Sequence, residues 1–123
     1  MSLLKTRGIT KHFGGVRAVH DLSIEVAEGS IVSLIGPNGA GKTTAFNLIT
    51  GVYPLDAGEV LLGDRKISGL PQHGITRCGI GRTFQNIRLF KGLDCLANVM
   101  TAYDHRLSYT LAETLLRVGR RRA

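Results

Sequence analysis

Residues 36–43 read Gly36-Pro37-Asn38-Gly39-Ala40-Gly41-Lys42-Thr43, with Thr44 next, and this run decides the fold. It satisfies G-x-x-x-x-G-K-[S/T], the P-loop pattern, which has meaning only between a strand and a helix. Both flanks fit. Ile31 to Ile35 is a short, nearly continuous apolar run bounded by glycines, as expected of a strand buried on both faces of a parallel sheet. Lys42 to Thr50 reads as a helix with Ala45, Phe46, Leu48 and Ile49 apolar, and Gly51 is placed to stop it. Gly36, Gly39 and Gly41 free the backbone to approach a ligand closely. The N–H groups of the loop then converge on an anion, and the helix aims its positive end at the same place. The spacing puts the Lys42 ammonium on the β- and γ-phosphates of a nucleoside triphosphate, ATP first among them, and the Thr43 hydroxyl on Mg²⁺.

Working outward, Leu3 to Ile9 and Leu22 to Val26 have strand patterning, with His12-Phe13-Gly14-Gly15 as the turn between them and Glu28-Gly29 as a second turn. Glu59 to Leu62 reads as a short strand ended by Gly63-Asp64. Pro71 suits the first turn of a short helix that Gly79 closes. Gly81 to Phe84 is a further candidate strand, and Leu93 to Tyr103 and Leu107 to Val118 read as helices. The expected class is α/β: a P-loop core, an antiparallel β element beside it and the start of a helical arm.

The 123 residues are 43% hydrophobic and 20% charged, which suits one ordinary globular domain. No apolar run approaches the roughly 20 residues of a membrane span, and no apolar stretch follows Lys5 and Arg7 as in a signal peptide, so a cytosolic setting is expected. Cys78 and Cys95 lack C-x-x-C spacing and read as reduced thiols. His12, His20, His73 and His105 form no metal-ligand pattern. Asp56, Glu59 and Asp64 are not paired for acid–base work. The net charge is +7, and Arg117, Arg120, Arg121 and Arg122 carry four of those charges. Without interleaved aromatics these arginines read as a solvated helix end, and no nucleic acid is expected as a partner.

A P-loop alone names no reaction. The residues around it resemble the ATP-binding subunits of ABC transporters. Gly36 to Thr44 looks like that family's form of the motif, and Ile9 to Leu22, with His12-Phe13-Gly14-Gly15 and Ala18-Val19, looks like its opening strand and adenine-stacking loop. Gly58-Glu59-Val60-Leu61-Leu62 is similar to the strand after the P-loop helix. Arg82-Thr83-Phe84-Gln85 resembles the Q-loop. The Phe-Gly-Gly element, the run Arg82 to Phe90 and the Asn98-Val99 helix resemble one branch, the ATPase subunits of branched-chain amino acid importers. The resemblance implies that Phe13 stacks on adenine, that Gln85 meets Mg²⁺ and the attacking water, and that Asn86 to Leu93 faces a transmembrane permease subunit. It also implies a head-to-tail dimer of ATP-binding subunits, peripheral on the cytoplasmic face of the cell membrane.

The family's later motifs are not found: a signature loop of the Leu-Ser-Gly-Gly-Gln kind, a strand ending in Asp followed by a catalytic Glu, and a switch histidine. On the resemblance, residues 1–123 are the N-terminal part of an ABC ATP-binding domain. No residue here is assigned a catalytic role, and the chain alone is expected to bind ATP but to turn it over negligibly. Two readings compete: an ATPase subunit of an importer, and a non-catalytic nucleotide-binding fragment without transport activity. A P-loop phosphotransferase is disfavoured by Arg82-Thr83-Phe84-Gln85.

Overall fold

A computed structural model describes residues 2–83 and 89–103 of the chain. Two compact units divide it, Met1–Arg82 and Thr83–Ala123. In the first, strands β1 (Ser2–Phe13) and β2 (Val16–Ala27) form an antiparallel hairpin that turns at Gly14-Gly15, where Phe13 pairs with Val16. Strand β3 (Ala57–Leu62) pairs antiparallel with the other edge of β1, Leu4 opposite Leu62, and the two-residue β4 (Arg65–Lys66) pairs with β3. The sheet order is β2-β1-β3-β4. Helix α1 (Lys42–Ile49) follows the glycine-rich loop, and α2 (Gln72–Arg77) follows Pro71.

The hairpin ladder is interrupted where β1 shifts register between Thr6 and Lys11. Two buried threonines carry the hydrogen bonding there. The Thr6 hydroxyl donates to the Leu22 carbonyl (3.1 Å) and accepts from the Ile24 N–H (2.9 Å). The Thr10 hydroxyl accepts from the Asp21 N–H (3.1 Å). A buried hydroxyl is tolerated because both its functions are used. Thr6→Val keeps the shape and strips that function, leaving a buried N–H and C=O without partners. We expect it to lower stability by about 1–3 kcal/mol, read as a fall in the denaturant midpoint at unchanged slope. An unchanged midpoint would mean water replaces the hydroxyl.

The core draws one or two side chains from each element: Ile9 of β1, Val19 of β2, Ala45 and Leu48 of α1, Val60 of β3, Ile67 after β4 and Ile75 of α2. The α1 residues lie three apart, so one face of a short helix meets the sheet side. This arrangement sets α1 beside the hairpin, with the glycine-rich loop at its N-terminal end.

The expected strand at Ile31 to Ile35 is not formed. Residues 30–37 have no regular structure, and Ile31 and Ile35 are 96% and 90% exposed. A parallel strand has no hydrogen bonds of its own; neighbours on both sides must supply them. Every ladder among the described residues is antiparallel and lies on β1 or β3. Val32 and Leu34 instead line a gap of about 140 Å³ against Phe46 and Ile49 of α1. Residues 81–83 also lack regular structure, and Phe84 lies outside the described residues, as does the helix expected over Leu107 to Val118.

In the second unit, α3 (Cys95–Tyr103) matches the expected helix, starting two residues later. Asp94 caps it, accepting from the Ala97 N–H (2.7 Å). The Asn98 side chain closes the preceding turn, accepting from the Phe90 N–H (2.9 Å) and donating to the carbonyls of Leu93 (3.1 Å) and Asp94 (2.9 Å). No helix of the described residues is long and apolar enough to cross a membrane.

Candidate functional site

The glycine-rich loop is curled by its own backbone hydrogen bonds. The Ala40 N–H donates to the Pro37 carbonyl (3.3 Å), and Ala45 N–H donates to Gly41 carbonyl (2.8 Å) to start α1. Gly41 is the N-cap, with φ 82°, and no side chain caps the helix. Among the described residues, nothing accepts from the N–H groups of Lys42, Thr43 and Thr44. Those first-turn donors are the ones an α-helix leaves unpaired, and an anion is their natural acceptor.

The Lys42 ammonium arches back over the loop and donates to the carbonyls of Gly36 (2.7 Å) and Pro37 (2.6 Å). It thus lies on the carbonyls of the loop that leads into the helix N-terminus. Gly36, Pro37, Asn38, Gly39 and Ala40 are exposed, as is Thr43, while Gly41, Lys42 and Thr44 are half-buried. The glycines divide in role. Gly39 and Gly41 both have φ 82°, but Gly36 is not in the left-handed region. At Gly41 a Cβ would also be driven into the Ala18 carbonyl oxygen of β2. The absence of a side chain at Gly41 therefore serves packing of the loop on the hairpin as well as approach to a ligand.

That packing creates a cavity of about 210 Å³ between β2 and the loop, lined by Arg17, Ala18, His20, Ala40, Gly41 and Lys42 among others. Sequence reasoning had passed over Arg17. A lone arginine on a strand carries no motif, and only the register that seats β2 against Gly41 brings it to the loop.

Phe13 closes β1 with 43% of its surface exposed. It does not line the cavity. Phe13 and Tyr53 pack as a T-shaped pair, with ring centroids 5.2 Å apart at 77°, and the Lys11 ammonium lies 5.7 Å from the Phe13 centroid. Asp56 anchors this corner, accepting from the Lys11 ammonium (2.7 Å) and from the His12 N–H (2.7 Å). The Lys11 hydrogen bond, then the His12 N–H, hold the Asp56 carboxyl below its ordinary range. Asp56 is therefore a structural anion. Glu59 is likewise paired, with Arg7 (3.0 Å) and Lys66 (3.4 Å).

Gln85, expected beside the metal, lies outside the described residues. No group of three or more His, Cys, Asp or Glu that could hold a metal ion occurs among the described residues. Cys78 and Cys95 are free thiols.

Comparison with known proteins agrees with this geometry. Residues 19–122 match the family described as ABC transporter. The high-affinity branched-chain amino acid transport ATP-binding protein LivG of Salmonella typhimurium is 45% identical over 115 residues, 94% of this chain and 45% of the relative. Its counterpart BraF of Pseudomonas aeruginosa is 46% identical over 106 residues, 86% of this chain and 42% of the relative. The crystal structure of the ADP conformation of MJ1267, an ATP-binding cassette of an ABC transporter, superposes with a TM-score of 0.76 at 32% identity, covering 96% of this chain and 46% of that one. The chain thus spans a little under half the length of the relatives it matches. With a P-loop seated on an antiparallel hairpin, and with most of its length matching one family, this chain belongs to the ABC transporter family of ATP-binding proteins.

Proposed function

We propose that the chain binds Mg²⁺-ATP as the N-terminal part, residues 1–123, of the ATP-binding domain of an ABC importer for branched-chain amino acids. The observation that carries nucleotide binding is the set of unpaired N–H groups at Lys42, Thr43 and Thr44, with the Lys42 ammonium folded back on the loop that precedes them. Four negative charges on a triphosphate match this arrangement, in which dipole, donors and ammonium converge. The substrate class rests on what the two transport relatives are named for.

The residues present fit the metal. Mg²⁺ keeps several waters and takes only one or two protein oxygens beside the phosphates, so an exposed Thr43 hydroxyl suits it without an acidic cluster. When bound, the ion neutralises charge on the β- and γ-phosphates. Thr43 would hold it, with Gln85 as the second protein contact. Lys42 and the loop N–H groups hold the phosphates. Phe13 offers the base an aromatic face steadied by Tyr53.

In the intact protein, two ATP-binding subunits pair head to tail and dock on transmembrane permease subunits at the cytoplasmic face of the membrane. A non-catalytic nucleotide-binding role for this chain alone, without transport activity, shares the binding step with this reading and lacks both turnover and transport.

Calorimetric titration tests the binding reading. ATP is expected to saturate one site. Phe13→Ala should weaken ATP by about 1–3 kcal/mol, the range for aromatic stacking on a base, and leave inorganic triphosphate unaffected. Absence of saturable ATP binding would overturn the reading. Equal losses for both ligands would remove Phe13 from the site.

A further inference from the structure

The cavity beside the P-loop is lined by three basic side chains, Arg17, His20 and Lys42, and none of the residues lining it is acidic. Lys42 is accounted for by its bonds to the Gly36 and Pro37 carbonyls. Arg17 is not. It is exposed, it pairs with His12 through the β1–β2 ladder, and its side chain makes no ion pair with any described residue. On the adjacent strand β1, Lys5 is paired with Glu25, Arg7 with Glu59 and Lys11 with Asp56. An arginine without an acid beside a site that gathers positive charge is short of an anion, and its planar fork suits phosphate oxygens.

Its place along the chain says which phosphate. On β2, Val16 pairs with Phe13. Two residues on, the Ala18 carbonyl lies against Gly41 at the head of the loop. Arg17 stands between these points, and it lines the cavity that the loop closes. In a nucleotide, ribose and α-phosphate join the base to the terminal phosphates. We propose that Arg17 is a nucleotide-binding residue that contacts the α-phosphate, dividing the triphosphate's charge with Lys42, which takes the β- and γ-phosphates. This rests on nucleotide binding at the P-loop and on Phe13 as the base platform.

The division of charge predicts a pattern across ligands. Arg17→Ala should weaken ATP and ADP by the same factor, about tenfold, the scale of a hydrogen bond to a charged group. It should also lessen the loss of affinity with added salt, because one cation fewer is screened. Arg17→Lys should recover part of the affinity, since the charge returns without the fork. Lys42→Ala should penalise ATP more than ADP. The measurement is calorimetric titration of the 123-residue chain with ATP, ADP and AMP at two salt concentrations. Thermal midpoints are taken on every variant, and Arg17→Gln decides in the same way if Arg17→Ala does not fold.

The outcomes separate. If Lys42→Ala leaves ATP binding intact, nucleotide binding at the P-loop fails and the proposal falls with it. If Lys42→Ala weakens ATP while Arg17→Ala changes neither ATP nor ADP, the P-loop reading stands and Arg17 is a surface residue. If Arg17→Ala weakens ATP and spares ADP and AMP, its contact is with the terminal phosphate, and the α-phosphate assignment is overturned.

Discussion

Lys42→Ala is expected to weaken ATP binding by about 2–3 kcal/mol, which is a factor of roughly 30 to 150. The gross interaction is larger. An ammonium on two phosphate oxygens makes two charge-assisted bonds, each about 1.5–3 kcal/mol. Part of this is offset, because in the structure the same ammonium already donates to the carbonyls of Gly36 and Pro37 at 2.7 and 2.6 Å. The phosphates compete with those carbonyls, and only the surplus registers as affinity. Removing the side chain should cost little stability, since Gly36 and Pro37 are exposed and water can take over their carbonyls. Calorimetry with ATP and a thermal midpoint together give the test. Unchanged affinity would show that the ammonium stays on the loop carbonyls when nucleotide is present.

Gly41→Ala should be the most destabilising single substitution in the loop. Two penalties act at one position. At φ 82° an L-residue is strained, by about 1–3 kcal/mol. The new Cβ is also driven into the Ala18 carbonyl oxygen, and backbone shifts of that sort cost about another 1–3 kcal/mol. Gly39 supplies the control. Its φ is also 82°, but a Cβ there meets nothing within 4 Å. Gly39→Ala should therefore show the strain alone. Denaturant midpoints of the two variants give the difference. Equal losses would show that the hairpin moves away from the loop without cost, and would weaken the case that the cavity beside Arg17 has a fixed shape.

Much of the glycine-rich loop and the helix after it was legible in the sequence. The glycines, Lys42 and Thr43 sit at fixed spacing because their chemistry is local: a loop, a turn of helix, and the donors that turn leaves unpaired. The hairpin around Gly14-Gly15 and β3 were legible for a similar reason, since period-two patterning and glycine turns are short-range signals. Ile31 to Ile35 was misread because an apolar run records what a segment can bury, while a parallel strand exists only through its neighbours. The irregular stretch of β1 was missed because Thr6 and Thr10 look like ordinary strand residues. Nothing local says that their hydroxyls replace ladder bonds. Arg17 and Asp56 are non-local in the same sense. Asp56 lies 45 residues from Lys11, and no spacing rule reaches that far.

The order in which the sheet is stitched has a consequence in time. One edge of β1 is closed by β2, the very next strand, but its other edge pairs with β3, where Leu4 meets Leu62. During synthesis the hairpin can form as soon as β2 has cleared the ribosome. The second edge of β1 then waits for about 35 more residues, from Ala27 to Leu62, on the order of 2–7 s at ordinary elongation rates. Through that interval the chain presents an open row of backbone donors and acceptors to whatever is nearby. Lys5, Arg7 and Lys11 stand along β1, and charges of one sign on a waiting strand keep a second nascent chain from pairing with it before β3 arrives.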